Sequence, residues 1–386
     1  MTTRVVAAWV LAVCTAANAA DKVATLELLQ RVRVASVADK KAPGTAHVAI
    51  HGDFVYVSGG GNLRCFRRDA AGKLTLQHTT GIAGRMTLAS SGERMYGVIY
   101  KGRRPQKGEL AWYDVGADGK LIEKGKVECP GSSGMVACEG VVIAPDRTAL
   151  YLRTNRPGGL AWFTLGDDGA ATKGGVVKGK GLGNSSKASG GSVMVLSADG
   201  KYLYTTSQTD HVIAVIDVKP DGTPVYREAV DLAPLAKKPT EGPGWNRGFP
   251  WPGLFMAPGG RQLYVVLWRY GGRKDNVVGV FDRDEKTGAL TFKAKVPGLT
   301  APKGGGMAFT PDGKTAWLAA LSHPVTKLRR DPATGQLTVI GRVPKTHGPD
   351  RRGPQVYDMA YDPAKGHLYF ADVYGELFVV NTKGAK

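Results

Sequence analysis

Ser192 to Asp217 reads SVMVLSADGKYLYTTSQTDHVIAVID. Three strands are legible in it. Val193–Leu196 is apolar, Ala198-Asp199-Gly200-Lys201 spells a tight turn, Tyr202–Thr206 alternates, and Val212–Ile216 is apolar again. Asp-Gly between two such runs is a strong hairpin signal, because Gly accepts positive φ without steric penalty.

Looser copies of this unit fill the chain. The turn and the aromatic that follows it recur as Gly52-Asp53 with Tyr56, Ser91-Gly92 with Tyr96, Pro145-Asp146 with Tyr151 and Asp199-Gly200 with Tyr204. They continue as Gly259-Gly260 with Tyr264, Asp312-Gly313 with Trp317 and Lys365-Gly366 with Tyr369. A third apolar strand follows each hairpin, and six copies add a second polar turn and a fourth strand. The seventh copy stops short at Lys386, whereas Thr25–Val34 is a strand without a partner in the first copy. Seven in-phase copies and two matching deficits predict an all-β seven-bladed β-propeller of four-stranded antiparallel blades. The N-terminal strand completes the last blade and closes the ring, which removes open sheet edges.

Topology sorts the connections by face. In a four-stranded meander the first and third turns share one face, and here they are short and repetitive. The other face receives the long, irregular segments 101–107, 174–191, 233–252, 269–275 and 344–355. Long variable loops on one rim of a rigid scaffold are where function usually sits. They hold sixteen Lys or Arg against Glu241, Asp275 and Asp350, a net +13 of the chain's +19. Such a face attracts anions. Aromatic residues interleave with the bases, at Trp245, Phe249 and Trp251 around Arg247 and again at Trp268 and Tyr270, so a sugar or other ring can stack there. A plain solubilising surface is the competing reading of this charge.

Residues 1–19 read as an export signal: Arg4, an apolar run Val5–Val13 too short to span a bilayer, and a small-x-small site at Ala17-Asn18-Ala19. The rest, 20–386, reads as one propeller domain in the periplasm or outside the cell. Val13 before Cys14 is a poor lipoprotein box, so anchoring there is disfavoured, and no transmembrane segment is expected. Export permits disulfides. Cys129 and Cys138 bracket a Gly-rich loop and are expected to pair, leaving Cys65 as a buried thiol. No C-x-x-C-H and no zinc spacing occur, and neither metal nor cofactor is expected. Export also argues against nucleic acid as a partner, and a monomer is expected.

Residues entering the first strands or leaving the second strands face the axial funnel. They include His47, Arg85, Glu139, His211, Arg269, His323, Asp358 and Asp372. General bases facing cations are the ingredients of water attack on an ester or lactone. No G-x-S-x-G elbow supports a serine hydrolase of that type. Gly179–Lys187 does not match a phosphate-binding P-loop.

The spellings LSADGKYLYTTSQTDHVIAVIDV, APGGRQLYVVLWRYGGRKDNVVGVFDRDEKTGALTF and FTPDGKTAWLAALSHPVTKLRRDPATGQLTV resemble the lactonase-like seven-bladed propeller family. That family includes the propeller form of 6-phosphogluconolactonase. The resemblance spans nearly all of the chain beyond the signal and implies the same fold. It also implies a catalytic set of His, Arg and Glu, falling on His47, Arg85, Glu139 and Arg269. The family's Pro-Arg-His lead-in to a first strand is replaced here by Lys303-Gly304-Gly305-Gly306-Met307. Two functions follow as expectations. One is an exported lactonase acting on an anionic sugar-type lactone, with His211, Trp245, Arg247, Trp251, Trp268, His323 and Asp372 as ligand contacts. The other is a non-catalytic module whose basic face binds an acidic polysaccharide or an acidic protein.

Overall fold

The computed structural model describes residues 24–34, 47–59, 61–81, 86–99, 108–130, 140–155, 158–182, 194–207, 210–235, 250–269, 277–297, 299, 306–319, 325–343, 356–372 and 375–385. These form seven four-stranded antiparallel blades arranged as a β-propeller, with no helix among them. The decisive stretch gives strands Met194–Leu196, Tyr202–Ser207 and Val212–Val218, completed by Pro224–Asp231. Successive inner strands lie side by side around the axis, and apolar side chains of neighbouring blades fill the seams between them.

The in-phase aromatics are explained by those seams. In blades 1 to 5 the second strand faces the next blade, and its tyrosine reaches that blade's third-to-fourth turn. Tyr56 donates to the Gly119 carbonyl at 2.7 Å, Tyr96 to Gly169 at 2.9 Å, and Tyr151 to Gly222 at 2.7 Å. Tyr204 donates to Gly288 at 2.8 Å and Tyr264 to Gly335 at 2.6 Å. In these five blades the ring fills the seam while the hydroxyl satisfies a carbonyl, whereas Tyr369 of blade 7 is buried beside the Arg68 guanidinium. The sixth copy carries Trp317 instead. The seventh blade has no third-to-fourth turn, because its fourth strand comes from the other end of the chain. Trp317 is buried there against Tyr361, with ring centroids 4.5 Å apart.

Closure runs as the two deficits require. The N-terminal strand Ala24–Arg33 pairs antiparallel with the last strand, Glu376–Ala385, over Leu26 to Arg33. It also touches Leu337–Arg342 of blade 6 in parallel, through Ala24↔Gly341 and Thr25↔Arg342, which joins blades 6 and 7 into one eight-stranded sheet. Arg31 bonds Glu376 at 2.5 Å across the closing pair. On the far side, a buried ion pair of Arg68 and Asp362 ties blade 1 to blade 7, and Arg68 also donates to the Gly52 carbonyl at 2.6 Å.

Parts of three segments read as loop from the sequence are strand, Arg269 closing Gln262–Arg269 among them. Gly174–Val177 ends the fourth strand of blade 3, and Pro250–Pro252 opens the inner strand Pro250–Met256. The inner strand is the edge of its sheet, so a proline lacking its N–H is tolerated there. Most of the other long basic segments, the signal at 1–19 and Cys14 lie outside the described residues, as does Cys138. Cys129 is a buried thiol, and its expected pairing with Cys138 falls outside the described residues. No helix of the described residues is long and apolar enough to cross a membrane.

Candidate functional site

The inner strands enclose an axial cavity of about 730 Å³. Its wall is apolar through Val141–Ile143, Leu196, Leu254, Met256, Met307, Phe309 and Met359, and polar groups sit only toward its ends. That distribution follows from strand period. Three inner strands, Val141–Ile143, Met194–Leu196 and Met307–Phe309, are three apolar residues long, and in the others the polar lining residues stand near the strand ends, as Ser90 and Ser91 do in Met86–Ser91 and Asp358 in Val356–Asp362.

At the loop face, His47 opens the inner strand of blade 1 and Asp358 lies in the inner strand of blade 7. Ring closure brings them together, with His47 Nδ1 3.6 Å from Asp358 Oδ2. Asp358 lines the cavity. Its Oδ2 accepts from the Val48 amide at 3.0 Å and its Oδ1 from the Met359 amide at 2.8 Å. The carboxylate is therefore fixed by the neighbouring inner strand of blade 1 and by the next amide of its own strand. At 3.6 Å the contact is electrostatic rather than a formed hydrogen bond, and such contacts commonly tighten once substrate binds. The His47 side chain is only 15% exposed.

The remaining expected residues divide by position. Arg85, Glu139, Trp245, Arg247 and His323 lie outside the described residues. Trp251 and Trp268 are cross-strand partners, and Arg269 pairs with Pro250 one step farther out. His47 is two residue pairs above its blade's aromatic position, whereas the tryptophans are four above and Arg269 five. At about 3.3 Å per residue their backbones stand roughly 7 and 10 Å outward of the His47 level. Asp372 pairs with Val356, just beyond the Asp358–Ala371 step. His211 is in the second-to-third turn of blade 4, 3% exposed, with a φ of 55°. It is not among the cavity-lining residues, and its carbonyl accepts from the Leu232 amide at 3.1 Å.

At the opposite, turn-face mouth stand residues that the sequence reading missed. Ser90 and Ser91 line the cavity there, and Ser90 Oγ lies 2.8 Å from His51 Nδ1. Burial lowers the His51 imidazole below its ordinary value, against an opposing effect of Glu93. Arg147 also lines this mouth. Among the described residues no group of three His, Cys, Asp or Glu side chains could hold a metal ion.

No protein-family model and no curated protein sequence matches the chain. Solved structures match in number, 1157 chains in all, so the scaffold is a common one. The periplasmic gluconolactonase PpgL of Pseudomonas aeruginosa aligns at 20% identity over 78% of this chain and 85% of its own, with a TM-score of 0.58. A Bacteroides fragilis protein provisionally assigned as a 6-phosphogluconolactonase aligns at 21% identity over 77% and 83%, TM-score 0.56. Hydrazine synthase of Kuenenia stuttgartiensis aligns at 13% identity over 91% and 99%, TM-score 0.62. Proteins of unlike activity share this architecture, so the likeness fixes the scaffold and leaves the chemistry to the site. This chain is a seven-bladed β-propeller of the shape that lactonase propellers also have.

Proposed function

We propose that the protein is an exported, monomeric lactonase-like hydrolase acting on an anionic sugar-type lactone at the loop-face mouth of the axial cavity. The observation that carries this reading is the His47–Asp358 pair at that mouth. Asp358, held by two amides, orients the imidazole. His47 takes a proton from water as its oxygen attacks the lactone carbonyl carbon. The tetrahedral oxyanion collapses, the ring C–O bond breaks, and the His47 proton goes to the departing ring oxygen. The product is a hydroxy-carboxylate, and the chemistry needs no cofactor. Arg85 and Glu139, each just ahead of a blade's inner strand in the sequence, serve in this reading as oxyanion donor and second base. Arg269, set farther out, suits a rim role holding the substrate's charged group, with Trp251 and Trp268 offering a stacking surface. The PpgL likeness supports both the activity class and export. The test is proton release from glucono-δ-lactone and its 6-phosphate, compared between wild type and His47→Ala.

A second reading rests on charge alone. Sixteen basic residues in five segments of one face suit an acidic polysaccharide or acidic protein. It predicts binding that fades steeply with salt and ignores His47.

A further inference from the structure

Every blade's first hairpin turn holds a residue in the left-handed region, and the turn of blade 5 holds two, Gly259 (φ 87°) as well as Gly260. In six blades it is glycine: Gly52, Gly92, Gly200, Gly260, Gly313 and Gly366, with φ between 53° and 71°. In blade 3 it is Arg147, at φ 63°. An L side chain is disfavoured there, and such strain persists where the surroundings require it, most often at functional sites.

What the arginine gains is a position. Its guanidinium lies over Gly92 in the neighbouring turn of blade 2. A Cβ on Gly92 would come within 2.4 Å of Nη1 and 2.8 Å of Cζ. One turn thus takes a strained arginine and its neighbour keeps a bare glycine that makes room for it. The guanidinium lines the turn-face end of the axial cavity with Ser90 and Ser91. Among the described residues it forms no ion pair. The adjacent carboxylate, Asp146, is engaged by the Thr148 amide at 3.1 Å and the Thr148 hydroxyl at 2.8 Å. Ser90 is steadied by His51. Behind these polar groups the wall turns apolar, through Val142, Leu196, Met256 and Phe309.

We propose that the turn-face mouth is a carboxylate-binding site, built by Arg147, Gly92 and Ser90, for a small organic acid with an apolar body. The planar guanidinium fork matches a carboxylate in two parallel hydrogen bonds, a serine hydroxyl adds a third donor, and the apolar wall takes the body. Four residues of inner strand separate this mouth from His47, about 13 Å, so the site does not depend on the lactonase reading.

The experiment is isothermal titration of the full chain with hexanoate, hexan-1-ol and inorganic phosphate. Wild type and Arg147→Gly are compared. Glycine is native to the six sister turns, so this variant folds, and its unfolding temperature should equal or exceed the wild type's. The site predicts saturable hexanoate binding that weakens at least tenfold in Arg147→Gly, with no saturable binding of the alcohol. Equal affinity in the two proteins, no saturable binding to wild type, or phosphate binding as tight as hexanoate would each overturn it.

Discussion

Tyr264 donates its hydroxyl proton to the Gly335 carbonyl at 2.6 Å and accepts from Arg330 Nε at 2.8 Å. The three residues belong to two blades, and Arg330 continues to the Gly313 carbonyl at 2.8 Å. One buried hydroxyl thus ties the second strand of blade 5 to two turns of blade 6. Blades 4 and 5 repeat the arrangement through Tyr204, Arg283 and the Gly260 carbonyl. Tyr264→Phe keeps the ring but leaves a buried carbonyl and a guanidinium N–H unmatched. It should cost about 1–3 kcal/mol, read as a lower denaturant midpoint with an unchanged slope. An unchanged midpoint would mean that ring packing alone holds the seam.

Closure of the ring is the second testable relationship. Arg68 and Asp362 are both buried, and the Arg68 guanidinium lies 5.9 Å from the Tyr369 ring centroid. Removing one member of such a pair strands the other charge in a dry seam. Asp362→Ala should therefore destabilise by about 3–5 kcal/mol, whereas replacing both partners by apolar residues of similar volume should cost much less. A double-mutant cycle in chemical denaturation checks both statements.

Histidine burial sets a pH dependence. His367 is 5% exposed, and desolvation lowers its pKa from the ordinary 6.5 against the opposing pull of Asp362. The unfolded chain then binds a proton near 6.5 that the folded chain refuses until lower pH. Stability is full above that value and falls as pH drops through it toward the depressed folded pKa. His51 acts in the same direction. The unfolding temperature should decline between about pH 7.5 and 5.5, and His367→Gln should flatten that decline. An identical slope in the variant would remove His367 from the account.

The two described cysteines should be inert in the native protein. Burial pushes the Cys65 thiol up to about 11 and the Cys129 thiol up to about 12. Almost no thiolate is present at neutral pH, and thiolate is the reactive form. A disulfide-exchange reagent should label neither until the chain is denatured. Denaturation without reductant should then expose the Cys129 thiol, and its absence would indicate pairing with Cys138.

Much of this architecture was legible because each blade must solve the same problem. A turn needs a left-handed residue and a seam takes a large aromatic, so Asp199-Gly200 and Tyr204 recur in kind and in phase. The unmatched strands at the two ends marked the closure for the same reason. Pairings that depend on the closed ring were less legible. His47 and Asp358 come from opposite ends of the chain, and no local pattern makes them neighbours. Trp251 falls in the long segment 233–252 that the repeat reads as loop, yet it belongs to an inner edge strand, where its flanking prolines are tolerated. Arg147 did leave a signal, an arginine where the phase of the repeat calls for glycine. Its meaning required the notch over Gly92 to be seen.

The most direct test of the account is kcat/KM for lactone hydrolysis by wild type, His47→Ala and Asp358→Asn. A positioned base contributes about 10²–10⁴-fold, so His47→Ala should lose at least a hundredfold, mainly in kcat. Asp358→Asn should lose less and alter the pH profile, because it changes how the imidazole is held. A wild-type rate no greater than buffer, or a loss under tenfold in His47→Ala, would contradict the catalytic reading of this mouth.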